Sequence, residues 1–579
     1  MGVKRRVRKL ARKQDIPYLI AFIVISLIFV FPFVHTGKLI AEVDWLFHAS
    51  RVEQLYINLR KGTLLTFVAT NTFHHSGSGS FLFYPYVFLY PWALLRFVFN
   101  PITSFYLWKA LMTCTTLFIS YYCMKAFSKN RMMSFIFALV YAFNTYRIYL
   151  GFAVFGEYIA SAFLPLAFYG FYVMFFKRND IEKRSHPALI LAIGMSLLIY
   201  SHLVSVFITV EIFLLVLVIY SLLGNFQLVV SRWKDLLKSI FLTILLCLPL
   251  CFLFFTNFIG KNITSTNLGV MLYLIQPFSM IISSSLDNAF GPNSVGIYLI
   301  ITCFFGGFFI NKMRKSSKVY LSIYVLGILL LLLSTSNFPW YLFQHSLLGN
   351  IQIPYRYLEF AAFFLSIIFA KCSMMLLSGK LKLNNKQISC LVLCVTILGY
   401  WVPMQDKYTE LRTALPSQLY HHETEEKLDH SILNKDSYNK QFNYIIRWGE
   451  DDYYPQKAAN NARSIDDQIT YLGGKRLKNV STEYLPNSVV YKLNLTKIAG
   501  VDLPFISYNN TYVKVNGKKV DYHLSKRGTV LIPKKAVKKG TLKIQVGYAP
   551  SVLFYVCIMV SVITWVVIIV KLRKSRLAI

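Results

Sequence analysis

Acidic side chains are scarce in this 579-residue chain: 26 Asp and Glu stand against 61 Lys and Arg, a formal net charge of +35. On a soluble chain such an excess points to nucleic acid. Here many of the bases sit in short gaps between apolar runs, which suits the positive-inside rule instead and argues against a nucleic-acid partner. A Walker loop is missing, and so is a Gly-rich dinucleotide loop, which removes soluble nucleotides as an energy source. Cysteine is sparse too. All nine (Cys114, Cys123, Cys247, Cys251, Cys303, Cys372, Cys390, Cys394, Cys557) fall in apolar runs, and none falls between about Gln405 and Tyr548. Neither a disulfide framework nor a paired CxxC zinc pattern is present, and the thiols read as small buried hydrophobes.

What the chain does have is apolar length. It is 55% hydrophobic and 16% aromatic. Apolar runs recur at roughly 17–36, 82–99, 103–124, 132–150, 158–176, 187–201, 203–223, 238–258, 294–311, 319–336, 355–377, 387–404 and 549–570. Runs near twenty residues read as transmembrane helices. The stretch Leu189–Leu223 is too long for one span and is split near Ser201–His202. The basic N-terminus and a first run without a small-residue cleavage site predict a retained first helix.

Charge decides the topology. If 82–99 crossed, the gaps Lys125/Lys129/Arg131, Lys177/Arg178/Lys183/Arg184 and Lys312/Arg314/Lys315/Lys318, with the tail Lys571/Arg573/Lys574/Arg576, would all fall outside. The segment carries two prolines and many aromatics, which suits the interface. With 82–99 juxtamembrane, the sequence predicts a polytopic α-helical protein of about twelve spans with both termini cytoplasmic. The division is a basic N-terminus 1–16, a membrane core 17–404 with its first outer loop at 37–102, an outer domain 405–548, a final helix 549–571 and a basic tail 572–579. Glu42, Asp44, His48, Glu157 and His202 then share the outer face.

After Asp44 the apolar spacing suits an amphipathic helix lying on the membrane, with Glu53 on its solvated side and Gly62 as its stop. "HHSGSGS" (74–80) has linker composition, and His74–His75 as a metal pair is a weak reading. From about Ser488 apolar and polar residues alternate, and Asn516–Gly517 is a hairpin signal. A small outer antiparallel β-sandwich before the last helix is expected.

Together "DWLFHASRVEQLYINLRKG", "FLFYPYVFLYPWALL", "FGEYIASAFLPLAFYGFY", "YSHLVS" and "IQIPYRYLEF" resemble a bacterial multi-pass membrane family labelled as related to pyruvoyl-tetrahydropterin synthase. The end of the chain resembles YfhO-type membrane proteins, and both are similar to the C-type glycosyltransferase (GT-C) superfold. The pterin label does not fit, because no zinc triad of histidines is present. The resemblance implies a glycosyltransferase of the bacterial cell membrane that moves a sugar from a polyprenyl-phosphate-linked donor to an envelope glycan, lipid or protein. It places an acidic residue in the first outer loop, where this chain has Glu42 and Asp44. The chain departs from the family's Asp-Asp or Asp-x-Asp pattern with Glu-x-Asp, which leaves a divalent cation held by Glu42, Asp44 and Glu157 open.

On that reading Asp44 is the general base, against the alternative of a helix N-cap. Glu157 supports it or binds a cation or sugar, against a helix-start carboxylate. Arg356 forks onto the departing phosphate, against snorkelling or an ion pair with Glu359. His48 and Arg51 orient the base or touch phosphate, against positions on a solvated face. His202 contacts acceptor, and Tyr84, with Pro85 and Tyr86, shapes the groove. Two other functions stay open: a lipid or polysaccharide transporter, and a non-catalytic envelope assembly factor. A transporter would show internal repeats or helices broken at mid-membrane.

Overall fold

The computed structural model describes residues 13–177, 186–264, 269–418, 430–442 and 451–574. Residues 1–12 of the basic N-terminus, the bases Arg178, Lys183 and Arg184, and Arg576 of the tail lie outside them.

The membrane core is built from α1 (Ile16–Thr36), α2 (Trp45–Arg60), α3 (Pro101–Ser128), α4 (Arg131–Ala142), α5 (Thr145–Ala153), α6 (Phe155–Ser161), α7 (Leu164–Phe175), α8 (Pro187–Ile199), α9 (Leu203–Ser231), α10 (Trp233–Phe258), α11 (Ile297–Lys315), α12 (Lys318–Leu333), α13 (Pro354–Lys380), α14 (Asn385–Thr413) and α15 (Val552–Arg573). Eight of the described helices are long and apolar enough to cross a membrane, so the chain is a multi-pass membrane protein. The bent pairs α4–α5 and α6–α7 bring the number to ten. The remaining two of the twelve expected spans are α8 and α12, apolar but only 13 and 16 residues long. At 1.5 Å per residue each falls short of a 30 Å hydrocarbon core. The segment 82–99 forms only short turns of helix and does not cross as one.

Local chemistry sets these boundaries. Asn100, Asn130 and Asn144 accept backbone N–H bonds at the starts of α3, α4 and α5. Asn144 is extended, which bends α4 from α5 by 46°. His202 is extended as well and caps α9 by accepting at Nδ1 from Ser205 N–H (3.2 Å). That break lies where the long apolar stretch divides.

The C-terminal region carries two five-stranded sheets in which every pair is antiparallel. One runs in the order β10 (His523–Leu524), β11 (Thr529–Ile532), β7 (Val501–Ile506), β3 (Tyr471–Leu472), β4 (Lys475–Arg476). The other runs β5 (Ser481–Leu485), β6 (Ser488–Leu495), β12 (Gly540–Tyr548), β8 (Thr511–Val515), β9 (Lys518–Lys519). Val489, Leu493, Phe505, Val530 and Ile544 from both sheets join one buried cluster. Asn516 and Gly517 turn β8 into β9 with positive φ at both positions.

Four expectations are corrected here. Helix α2 does not lie on a membrane surface, because its first fourteen residues are mostly buried. Glu53 is not solvated: it is 8% exposed and pairs with Arg96 Nη1 at 2.5 Å. The 74–80 stretch is not a linker. It packs under the C-terminal sheets, with Ile506 N–H donating to Ser76 O (2.8 Å), and a Cβ at Gly77 or Gly79 would run into the ring of Phe505 or Tyr508. Finally, α14 continues to Thr413, and 430–442 packs on the membrane core, where β2 (Ile432–Asn434) pairs with β1 (Lys38–Ile40).

Candidate active site

From β1 the chain turns sharply into α2, and Asp44 stands at that turn. Its backbone N–H donates to the Ala153 carbonyl (3.0 Å), which pins it to the corner between α5 and α6. Asp44 takes the N-cap position of α2, but its side chain makes no capping bond. The capping alternative therefore fails, and the carboxylate lies in the field of Arg356 and Glu157. Asp44 is sunk among its neighbours yet part of its surface stays open. Burial pushes its pKa up to about 7, with Arg356 pulling it down and Glu157 pushing it up.

Glu157 lies in the first turn of α6 and is 1% exposed. Its Oε1 is 2.5 Å from Arg356 Nε, and Tyr146 O–H donates to its Oε2 at 3.4 Å. Arg356 also donates through Nη1 to Ile351 O (2.8 Å) and Gln352 Oε1 (2.9 Å). The alternative of an Arg356–Glu359 ion pair is not met, because Arg356 pairs with Glu157. Glu359 sits deeper on α13, where it accepts from Ser205 Oγ at 3.5 Å and its other oxygen is buried without a partner among the described residues.

Gly156 brings three elements together. A Cβ there would meet Tyr84 Oη at 2.3 Å and His202 Cδ2 at 2.7 Å. Because His202 accepts at Nδ1, its neutral ring carries the proton on Nε2.

His48 and Arg51 are buried, not on a solvated face. His48 packs edge-on to Phe47, Tyr84 and Phe155, and among the described residues its Nδ1 has no partner. Burial, with Arg51 and His202 adding to it, holds its pKa well below the usual histidine range. Arg51 donates through Nη2 to the Tyr84 and Pro85 carbonyls (2.7 and 2.8 Å) and lies over the rings of Phe47, Phe81, Tyr84 and Tyr86. Burial lowers its pKa to about 10. Arg51 therefore clips the 84–85 turn and sets Tyr84 beside Gly156 and His202.

The sequence grouped Glu42 with Asp44, and the structure separates them. Glu42 is paired to Lys407 of α14, and its other oxygen is 3.6 Å from His430 Nδ1. Among the described residues no three His, Cys, Asp or Glu side chains gather to hold a metal ion. Glu42, Asp44 and Glu157 do not form such a group. His75 stacks on Tyr484 at 3.8 Å between centroids, so the 74–75 pair is taken up in packing.

Three participants escaped the sequence reading. Tyr453, from the C-terminal region, stacks on Phe83 (5.4 Å between centroids) and lies 6.5 Å from Tyr84, and so adds a wall. Tyr146 supports Glu157. Arg147 is buried in the bundle and donates to Ser161 Oγ (2.8 Å), Ala142 O (3.1 Å) and Thr116 Oγ1 (2.6 Å), which ties α6 to α3. An arginine inside an apolar run was the available signal. Tyr453 gave none.

The site can hold and move one proton at Asp44, beside a buried Arg356–Glu157 pair at one end of the helix bundle. No family model matches the chain, and no curated protein does. A solved structure, ArnT from Cupriavidus metallidurans bound to undecaprenyl phosphate, overlaps 74% of this chain and 86% of its own at 10% identity and a TM-score of 0.41, a similarity too low to speak to chemistry.

Proposed function

We propose that the protein is a membrane glycosyltransferase that moves a sugar from a polyprenyl-phosphate-linked donor to an envelope acceptor on the outer face of a bacterial cell membrane. The observation that carries this reading is Asp44: a carboxylate with its pKa near 7, uncapped, partly open, and facing an arginine that is held by a buried glutamate. A general base works best when its pKa lies near the operating pH.

In the proposed reaction Asp44 takes the proton from an acceptor hydroxyl. The freed oxygen attacks the anomeric carbon as the bond from that carbon to the phosphate oxygen breaks. The bonding pair leaves with the polyprenyl phosphate, and Asp44 ends protonated. Arg356 offsets the negative charge on that phosphate. Glu157 holds Arg356 in place, and His202 with Tyr84 lines the acceptor side. Glu359 lies behind this layer and backs it.

The test compares envelope glycans by mass spectrometry from cells carrying wild-type protein, no protein, or Asp44→Asn at matched expression. Loss of the same sugar in the deletion and in Asp44→Asn is expected. A change in the deletion alone would sink the base assignment and favour transport or assembly.

A further inference from the structure

A second feature lies at the far end of the bundle from Asp44. Helix α8 has His202 just past one end; its other end, at Pro187, borders a cavity of about 180 Å³. Around it stand His186, Leu189, Arg232, Asp235, Lys238 and Lys571. These residues come from the starts of α8 and α10 and from the end of α15, so three helices present their bases at one level. Three permanent cations face one carboxylate, Asp235, which is 4.0 Å from Arg232 Nη1.

The surroundings identify the chemistry. Directly along the bundle from Leu189 lies a buried apolar cluster of Leu189, Ala192, Leu246 and Ile568, edged by Trp565. Phe241, one turn along α10 from Lys238, and Val567, one turn along α15 from Lys571, are exposed. In a membrane protein that exposed surface meets acyl chains. A basic recess sitting on it meets phosphate at headgroup depth. A soluble anion would use the recess and leave the apolar surface untouched. A lipid uses both.

We propose that this recess binds the phosphate of an anionic phospholipid in the leaflet opposite the Asp44 site. Lys238 and Lys571 are its exposed outer bases. Arg232 and His186 form the inner side. This site is separate from the donor site and does not depend on the transferase reading.

The test uses the full chain, purified in detergent and exchanged into mixed phosphatidylglycerol and phosphatidylcholine, with retained lipid counted by native mass spectrometry. Wild type is expected to retain phosphatidylglycerol preferentially. Lys238→Gln/Lys571→Gln should lower that retention about thirtyfold, from roughly one kcal/mol per base near the headgroups. Lys238→Arg/Lys571→Arg should keep it. Lys538→Gln/Lys539→Gln, an equal charge change on exposed residues of the C-terminal region, should also keep it. Equal loss in that control, or no loss in the first variant, overturns the proposal. Inorganic phosphate that displaces the lipid at low millimolar concentration also overturns it, and would make the recess a soluble-anion site.

Discussion

At the scale of single residues, Asp44 joins stability to activity with opposite signs. Its folded pKa, about 7, is raised above the ordinary aspartate value of 3.8, so the folded protein holds a proton that the unfolded chain has lost. The associated stability is fully present below about pH 4 and is lost as pH rises through 7. Asp44→Asn removes the titration. Its melting temperature should therefore match wild type at pH 4 and exceed it at pH 8, read by a thermal unfolding series in detergent. An equal difference at both pH values would remove Asp44 from its buried setting. Activity should move the other way: the wild-type rate rises with pH along a limb near 7, and Asp44→Asn falls by about 10²–10⁴-fold. Glu157 behaves differently. Glu157→Gln strips Arg356 of its buried counter-charge, and breaking such a pair costs about 3–5 kcal/mol. A drop in melting temperature at every pH is expected, and Glu157→Asp should recover part of it. Stability unchanged in Glu157→Gln would show that the pair holds nothing together.

At the scale of elements, the corner between α5 and α6 sets the site, and Gly156 is its close approach. Gly156→Ala puts a methyl on Tyr84 Oη and His202, and overpacking of this kind costs about 1–3 kcal/mol. Glycan transfer should fall at least tenfold while the detergent-purified protein keeps its elution profile. Wild-type transfer by Gly156→Ala would mean that Tyr84 and His202 are free to move apart. The corner also shows what the sequence exposed and what it concealed. Apolar runs, the Ser201–His202 break and the Asn516–Gly517 turn are local signals, and each one stands in the structure. The burial of α2 is not local. Ser50, Arg51, Glu53, Gln54 and Asn58 spell a polar face, but Gln54 accepts from the N–H groups of Thr70 and Asn71 (2.9 and 2.7 Å), and Asn58 bonds Thr66 Oγ1 (2.8 Å). A satisfied buried polar face and a wet one read alike until the covering chain is known. Asp44, Glu157 and Arg356 could be singled out because charge at a helix end in a membrane protein is costly without a partner or a purpose. Glu42 shared that signal and spends its charge on Lys407.

At the scale of the whole molecule, the C-terminal sheets hold the loop between α1 and α3, and the site lies beside that grip. Asn487, between β5 and β6, accepts at Oδ1 from Phe67 N–H (2.7 Å) and donates through Nδ2 to Leu65 O (2.9 Å). Gln468 donates to His74 O (2.6 Å), and Ser76 shares a hydroxyl bond with Tyr454 (2.8 Å). Tyr453 reaches from the same region to Tyr84. The 64–86 segment carries Tyr84 and is held on one side by Arg51, Gln54 and Asn58 of α2 and on the other by the sheets, so its order depends on both. Asn487→Ala leaves a backbone donor and acceptor unmet, a loss of about 1–3 kcal/mol confined to this contact. Amide hydrogen exchange should then quicken in 64–86 and leave α3 and α13 unchanged. Transfer should weaken mainly through poorer donor or acceptor binding, because Asp44 and Arg356 stay in place. Faster exchange throughout the chain would make Asn487 a general stabiliser. Unchanged exchange in 64–86 would show that the loop holds its shape without the sheets, and the C-terminal region would then lose its part in building the site.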